Sequence, residues 1–252
     1  MVKQIEMDFV VDHKLNGFDN ILSVNYTKHL GETWVKRLQP ILTSSYMTNL
    51  NFYMNEVYKN KSEVVYPKNP VDIYRPWKSA DFDNIKVVIF DNEPTCSPYS
   101  NGLAFGEHAN KTRSPITQKA AAIEKCIANS YADGYLSYYD CTMDDWASQG
   151  VMLINESLIA SYGQEGKHKF MFRNLIRQTI IQLNSYNVGI VYVFTDKSQH
   201  YYEKFIDTDF NYIIKTDGIT QYSEIFGEIN DHLTEHSTNP SEAIEWTYLP
   251  TK

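Results

Sequence analysis

The sequence predicts a three-layer α/β/α domain around a central, mostly parallel four-stranded sheet. Three observations predict it. Residues 85–90, 151–154 and 189–194 are continuous apolar runs rich in β-branched side chains, the pattern of strands buried on both faces. Segments with apolar residues at helical spacing alternate with these runs, as parallel strands joined by crossover helices require. The chain has 252 residues and is 42% hydrophobic, which suits one large domain with one good core.

The elements follow in order. Residues 1–32 mix polar and apolar side chains and read as an N-terminal arm with a short strand at 7–12; residues 33–252 form the domain. Trp34, Leu38, Ile41 and Leu42 recur at helical spacing, so 32–43 is an amphipathic helix. Leu50, Tyr53, Met54 and Val57 mark a second helix at 45–60. The stretch Tyr66-Pro67-Lys68-Asn69-Pro70 is a turn, and Val71 to Tyr74 leads into a polar loop that ends at Asn84. The first central strand, 85–90, stops at Asp91-Asn92-Glu93-Pro94. After Phe105, Gly106 to Arg113 reads as a polar linker. Ser114-Pro115 then opens a helix, with Pro suited to the first turn and Ala120, Ile123 and Ile127 on the apolar side. Residues 130–145 read as a Tyr- and Asp-rich loop. Strand 151–154 ends at Asn155. Residues 166–184 read as a helix with Phe170, Leu175, Ile176, Ile180 and Leu183 facing inward. Strand 189–194, a helix at 199–206, a shorter strand at 212–215 and a last helix at 226–233 complete the pattern.

Composition narrows the function classes. The net charge of −8 argues against a broadly basic nucleic-acid footprint and leaves room only for a local one. Cys96, Cys126 and Cys141 lack metal-site spacing and leave an odd thiol, which points to a reducing compartment and to no bound metal. No apolar stretch has the length of a membrane span and the first residues carry no secretory pattern, so a cytoplasmic protein is expected.

A polar, Pro-containing loop at the carboxyl end of a central parallel strand is where open α/β sheets bind ligands. Residues 91–96 form such a loop, although the same pattern also describes a solvated strand-to-helix connection. Phe105 reads equally as a core residue, and Asn155 as the polar end of a strand.

Several segments carry a resemblance. Ile85-Lys86-Val87-Val88-Ile89, the six-residue loop from Asp91 to Cys96 with Pro94 fourth, and Gly102-Leu103-Ala104-Phe105 together resemble family 1 uracil-DNA glycosylase. In that family the loop reads Gly-Gln-Asp-Pro-Tyr-His and Gly-Leu-Ala-Phe follows. Val65-Tyr66-Pro67, Ile73-Tyr74-Arg75, the run from Trp146 to Asn155, and Ile244-Glu245-Trp246 with Leu249-Pro250 are similar to further family segments. The resemblance runs from about residue 34 to the C-terminus.

It implies a flipped-base pocket. There Phe105 would stack on the base and the Asn155 amide would read its edge, with Asn92 and Thr95 as further base-binding residues. An Asn side chain offers a donor and an acceptor side by side, which suits N3–H and O4 of uracil. Glu93 stands for the family Asp and is the catalytic candidate. Thr95 replaces a Tyr whose ring excludes a 5-methyl group, and Cys96 replaces a His and reads as a small buried residue. Ser114 and Thr117 are the candidate DNA contacts, in a displaced phosphate loop. The family His that stabilises the leaving base has no counterpart, because Thr216-Asp217-Gly218-Ile219-Thr220 stands in its place. The wedge loop is shortened to 221–225.

These departures imply a homologue whose base excision is lost or strongly reduced. It would act as a virus-encoded accessory or decoy through weak DNA binding or a protein partner, with no cofactor and no membrane association. The alternative is an active DNA N-glycosylase for uracil or a 5-substituted uracil. A third reading is a structural protein that binds partners through 131–139 and the arm. A fold by itself does not choose among them.

Overall fold

The computed structural model describes residues 26–109, 115–130, 139–221, 224–235 and 242–247. Helix α1 (Tyr26–Leu30) leads into α2 (Glu32–Leu42), and α3 (Ser45–Lys59) starts at Ser44, whose hydroxyl accepts from the Met47 N–H. Strand β1 (Val65–Tyr66), a tight turn at Pro70–Tyr74, helix α4 (Arg75–Ser79) and strand β2 (Val87–Asp91) follow. Next come α5 (Gln118–Ser130), α6 (Asp144–Ser148), β3 (Val151–Asn155), β4 (Ala160–Ser161) and α7 (Lys169–Tyr186). The chain continues through β5 (Val191–Phe194), a 3-10 segment at Lys197–Phe205, β6 (Tyr212–Lys215) and α8 (Ile225–Glu235).

The main sheet has the order β3-β2-β5-β6 and is parallel throughout. The predicted parallel four-stranded sheet is therefore present, with helices on both faces. Strand periodicity explains the continuous apolar runs. Val88 and Phe90 of β2, Met152 and Ile154 of β3, and Tyr192 and Phe194 of β5 enter one core with Trp34, Leu38 and the inner stripe of α7. Val87, Ile89, Val151, Leu153, Val191 and Val193 enter a second core with Phe105, α5 and α8. By the same alternation Asp91 and Asn155, register partners at the ends of β2 and β3, turn toward the side of Phe105 and α5.

Several expectations are corrected. Phe170 does not face inward: it is 67% exposed, and Phe172 takes the buried position with Leu175, Ile176, Thr179, Ile180 and Leu183. Those six keep the three-and-four spacing of one face, and Phe170 falls off it. Glu107 is no part of a solvated linker. It is fully buried, and its carboxylate accepts from the backbone N–H of Ile116 (2.8 Å) and Thr117 (2.7 Å). This anion satisfies donors ahead of α5, which begins at Gln118 rather than at the Ser-Pro pair. Tyr139, Cys141 and Met143 are buried in the second core, so the end of the 130–145 stretch is core, followed by α6. The antiparallel pair β1 and β4, joined as Val65↔Ser161 and Tyr66↔Ala160, is too short for periodicity to reveal. The expectations at 7–12, Ser114, 131–138 and 249–250 lie outside the described residues.

Residues 242–247 close the second core. The Trp146 indole donates to the Trp246 carbonyl (3.2 Å), the Trp246 indole donates to the Phe226 carbonyl (3.1 Å), and Asn230 exchanges two hydrogen bonds with the Ile244 backbone. No helix among the described residues is long and apolar enough to cross a membrane.

Candidate functional site

The carboxyl ends of β2 and β3 are tied together before any side chain is considered. The Glu156 N–H donates to the Asp91 carbonyl (2.7 Å) and the Ser157 N–H to the Asn92 carbonyl (2.8 Å). Asn92 is exposed, and its side-chain oxygen accepts from buried Gln199 at 3.2 Å. Gln199 also belongs to the capping box that starts the 3-10 segment after β5. Three strand ends are thus locked into one platform.

Asn155 stands on that platform fully buried. Its Nδ2 donates to the Gly102 carbonyl (3.2 Å), and its Oδ1 has no protein partner. A buried acceptor left open costs on the order of 1–3 kcal/mol, so its persistence calls for an explanation. Gly102 opens the turn that carries Phe105. Asn101 pins this turn: its Nδ2 donates to the carbonyls of Glu107 (2.8 Å) and Thr142 (3.0 Å), and its Oδ1 accepts from Leu103 N–H (3.1 Å). Phe105 itself has φ +63°, a left-handed conformation unfavourable for an aromatic residue, and its ring is almost wholly buried. Phe105 and Asn155 are therefore brought together, on one face of the sheet.

Glu93 is half-buried, and its Oε2 accepts from the Gly166 N–H at 3.0 Å. Burial pushes its carboxyl above the ordinary range. Gly166 opposes that shift, Glu165 adds to it, Lys119 opposes it, and Asp91 adds to it. Thr95 and Cys96 are likewise half-buried, so Cys96 is not the small buried residue expected; burial raises its thiol, and Glu93 and Glu165 raise it further. Thr117 accepts from the Ala120 N–H at 3.3 Å through its hydroxyl, which keeps its own proton for another acceptor.

Sequence reasoning missed two members of the site. The Asp91 carboxylate is nearly buried and pairs with the ammonium of Lys119, from the first turn of α5. That ammonium also lies 3.5 Å from the Glu93 carbonyl and 5.3 Å from the centre of the Phe105 ring. No local pattern announces this pair, since it joins a strand end to a helix start. The loop after β6 holds Thr216, Asp217 and Gly218, where the resemblance implies a His; the Thr216 hydroxyl donates to the Gly218 carbonyl, and Asp217 meets Lys197 at 3.8 Å. His200 pairs with Glu203, which also holds Lys215 just before this loop, and His232 stacks on Tyr212 at the opposite end of β6 with ring centres 4.2 Å apart. Two open clefts of about 300 and 470 Å³ lie elsewhere, at Trp146 with Trp246 and at Tyr212 with His232. Neither is lined by Asp91, Asn155 or Phe105. Among the described residues no group of His, Cys, Asp and Glu is arranged to hold a metal ion.

The segment that holds Glu93 has a buried polar anchor. Its protons assign without conflict if His168 is neutral. The Tyr53 hydroxyl donates to His168 Nδ1 (2.6 Å), His168 Nε2–H donates to Ser161 Oγ (2.6 Å), and the Ser161 hydroxyl donates to the Glu63 carboxylate. Burial raises the Glu63 carboxyl, but hydrogen bonds from Lys167 and Ser161 outweigh it and hold the group below its ordinary value. Burial also pulls His168 below its ordinary 6.5, with Glu63 opposing and Lys167 adding. An unfolded chain then takes up a proton below pH 6.5 that the folded chain refuses. The stability from His168 is present above that pH and is lost as pH falls toward the folded value. Melting temperatures of the native chain and His168→Gln, measured from pH 8 to 5, are expected to diverge in slope below about pH 6.5. Parallel curves would refute the assignment.

The chain is similar in sequence to several uracil-DNA glycosylases and in fold to solved structures of that kind. No family model matches the chain. A uracil-DNA glycosylase of Borrelia turicatae is 29% identical over 195 residues, covering 76% of this chain and 84% of the relative. One of Lactobacillus delbrueckii subsp. bulgaricus is 27% identical over 234 residues, covering 88% and 98%. The crystal structure of mimivirus uracil-DNA glycosylase superposes with a TM-score of 0.70 at 19% identity, over 89% of this chain and 90% of that one. A variant of the mimivirus protein crystallised in complex with UGI superposes at 0.71.

Proposed function

We propose, starting from a chain that is a divergent homologue of the uracil-DNA glycosylases, that it hydrolyses the N-glycosidic bond of uracil in DNA. The observation that supports this most is the open acceptor of Asn155. With Oδ1 unpartnered and one Nδ2 hydrogen on Gly102, the amide has an acceptor for N3–H and a second N–H for O4. Phe105 offers its ring beside it. Glu93 accepts a proton from the attacking water as the oxygen bonds to C1′ and the base departs with the electron pair of the C1′–N1 bond. Thr95, smaller than Tyr, leaves room for a substituent at C5, so 5-substituted uracils fall within the substrate class.

The test is single-turnover base release from uracil-containing single-stranded DNA with excess protein. Release is expected, slowed by roughly 10²–10³-fold relative to a site with its full set of charge-stabilising donors. Because burial raises the Glu93 carboxyl, release should decline with falling pH from a point above the usual carboxylate range. Glu93→Gln should abolish it. No release from uracil or a 5-substituted uracil at any pH would overturn the reading. One observation favours a second reading, an accessory that binds DNA or a protein partner without cutting: no imidazole stands on the loop after β6. Its signature is weak, strongly salt-dependent binding of DNA, or binding of a protein partner, with no release.

A further inference from the structure

We propose that Lys119 supplies the positive charge on which the departing base leaves, in a site without an imidazole for that task; this rests on the base-release reading above. When the C1′–N1 bond breaks, its electron pair goes to the base and spreads over N1 and the carbonyl oxygens. Water adds its oxygen to C1′ and gives a proton to Glu93, and that proton returns through solvent to the released base. The base anion needs a cation or donor already in place.

Three observations identify Lys119. Its ammonium lies 5.3 Å from the centre of the Phe105 ring, the surface on which the base stacks. It is held there by the carboxylate of Asp91, the register partner of Asn155, and by the Glu93 carbonyl. Of its three N–H donors, the third has no partner among the described residues. The position is also a poor one for helix stability, since a cation in the first turn of α5 opposes the helix dipole. Asp91, where the family loop has Gly, would by itself repel a base leaving as an anion from a nearly buried position. Lys119 cancels that charge and turns the pair's positive end toward the ring.

Base release is compared for uracil and 5-fluorouracil in DNA, with the native chain, Lys119→Gln, Lys119→Arg and the neutral pair Asp91→Asn/Lys119→Gln. The double variant guards against misfolding from an uncompensated Asp91. Removal of the cation is expected to slow uracil release about 100-fold. The fluorinated base, a better leaving anion, should lose only about 10-fold, and Lys119→Arg should keep most of the rate. Equal losses for both bases, or faster release without Lys119 because it merely blocks the ring, would overturn the proposal. Should the native chain release neither base, the reading of the site as a glycosylase fails separately. Binding of free 5-fluorouracil, followed by fluorine NMR across pH, then decides for Lys119. Preference for the anion in the native chain that disappears in Lys119→Gln supports it, and no preference refutes it.

Discussion

Replacing Asn155 by Ala is expected to lower uracil release by at least roughly 10²-fold while leaving the melting temperature nearly unchanged. The two halves of this expectation come from the same atoms. The amide's Oδ1 has no protein partner and is fully buried, so its removal takes away an uncompensated desolvation cost. The loss of Nδ2 leaves the Gly102 carbonyl unpaired, which costs a similar amount. The net change in stability should stay within about 1 kcal/mol. On the base-release reading both amide atoms pair with the base edge, and Ala leaves two base groups without partners. Calorimetry beside single-turnover kinetics checks it. If Asn155 only closes a strand end, the melting point drops by several degrees and release holds.

Gly102→Ala is expected to cost about 3 kcal/mol or more of stability and to remove base release with it. Gly102 has φ +89°, where a side chain adds roughly 1–2 kcal/mol of strain. A Cβ there would also meet the Asp72 carbonyl oxygen at 1.9 Å, and this neighbour is backbone that cannot rotate away. Relief requires the turn to shift, and the turn carries both the carbonyl that holds Asn155 and the ring of Phe105. For a domain of this size the melting point should fall by roughly 6–12 °C. Gly163→Ala is the control. Its φ of +73° imposes the same strain of roughly 1–2 kcal/mol, but a Cβ there meets nothing within 4 Å, so only about 2–8 °C should be lost and base release kept.

What was legible in the sequence follows the same physics. The central strands were readable because each is buried on both faces, which leaves an apolar run with β-branched residues and little room for another assignment. The loop from Asp91 and the strand end at Asn155 were readable by position, at the carboxyl edge of a parallel sheet. Phe170 reads as inward-facing because four neighbours on the true stripe make it look like a fifth. Glu107 reads as part of a polar linker because a buried carboxylate that anchors a helix start looks, in sequence, like any other acidic residue of a loop. The left-handed backbone of Phe105 and the Asp91–Lys119 pair depend on distant contacts and leave no local trace. The Glu at 93 and the missing His after β6 are legible in the sequence, whereas the place of Lys119 beside the Phe105 ring is not.

The order of the sheet also governs how the chain reaches its native state. The central strand β2 pairs Val87 with Val151 on one side and with Val191 on the other, both distant in sequence. Each pairing closes a long loop before it gains any contact, so the central strand waits longest for its partners. Folding should therefore be slow for a domain of this length, and early intermediates should expose residues 85–90 as a sticky edge. Chaperone dependence and yield at high expression temperature are then set by this strand's wait rather than by the stability of the finished molecule.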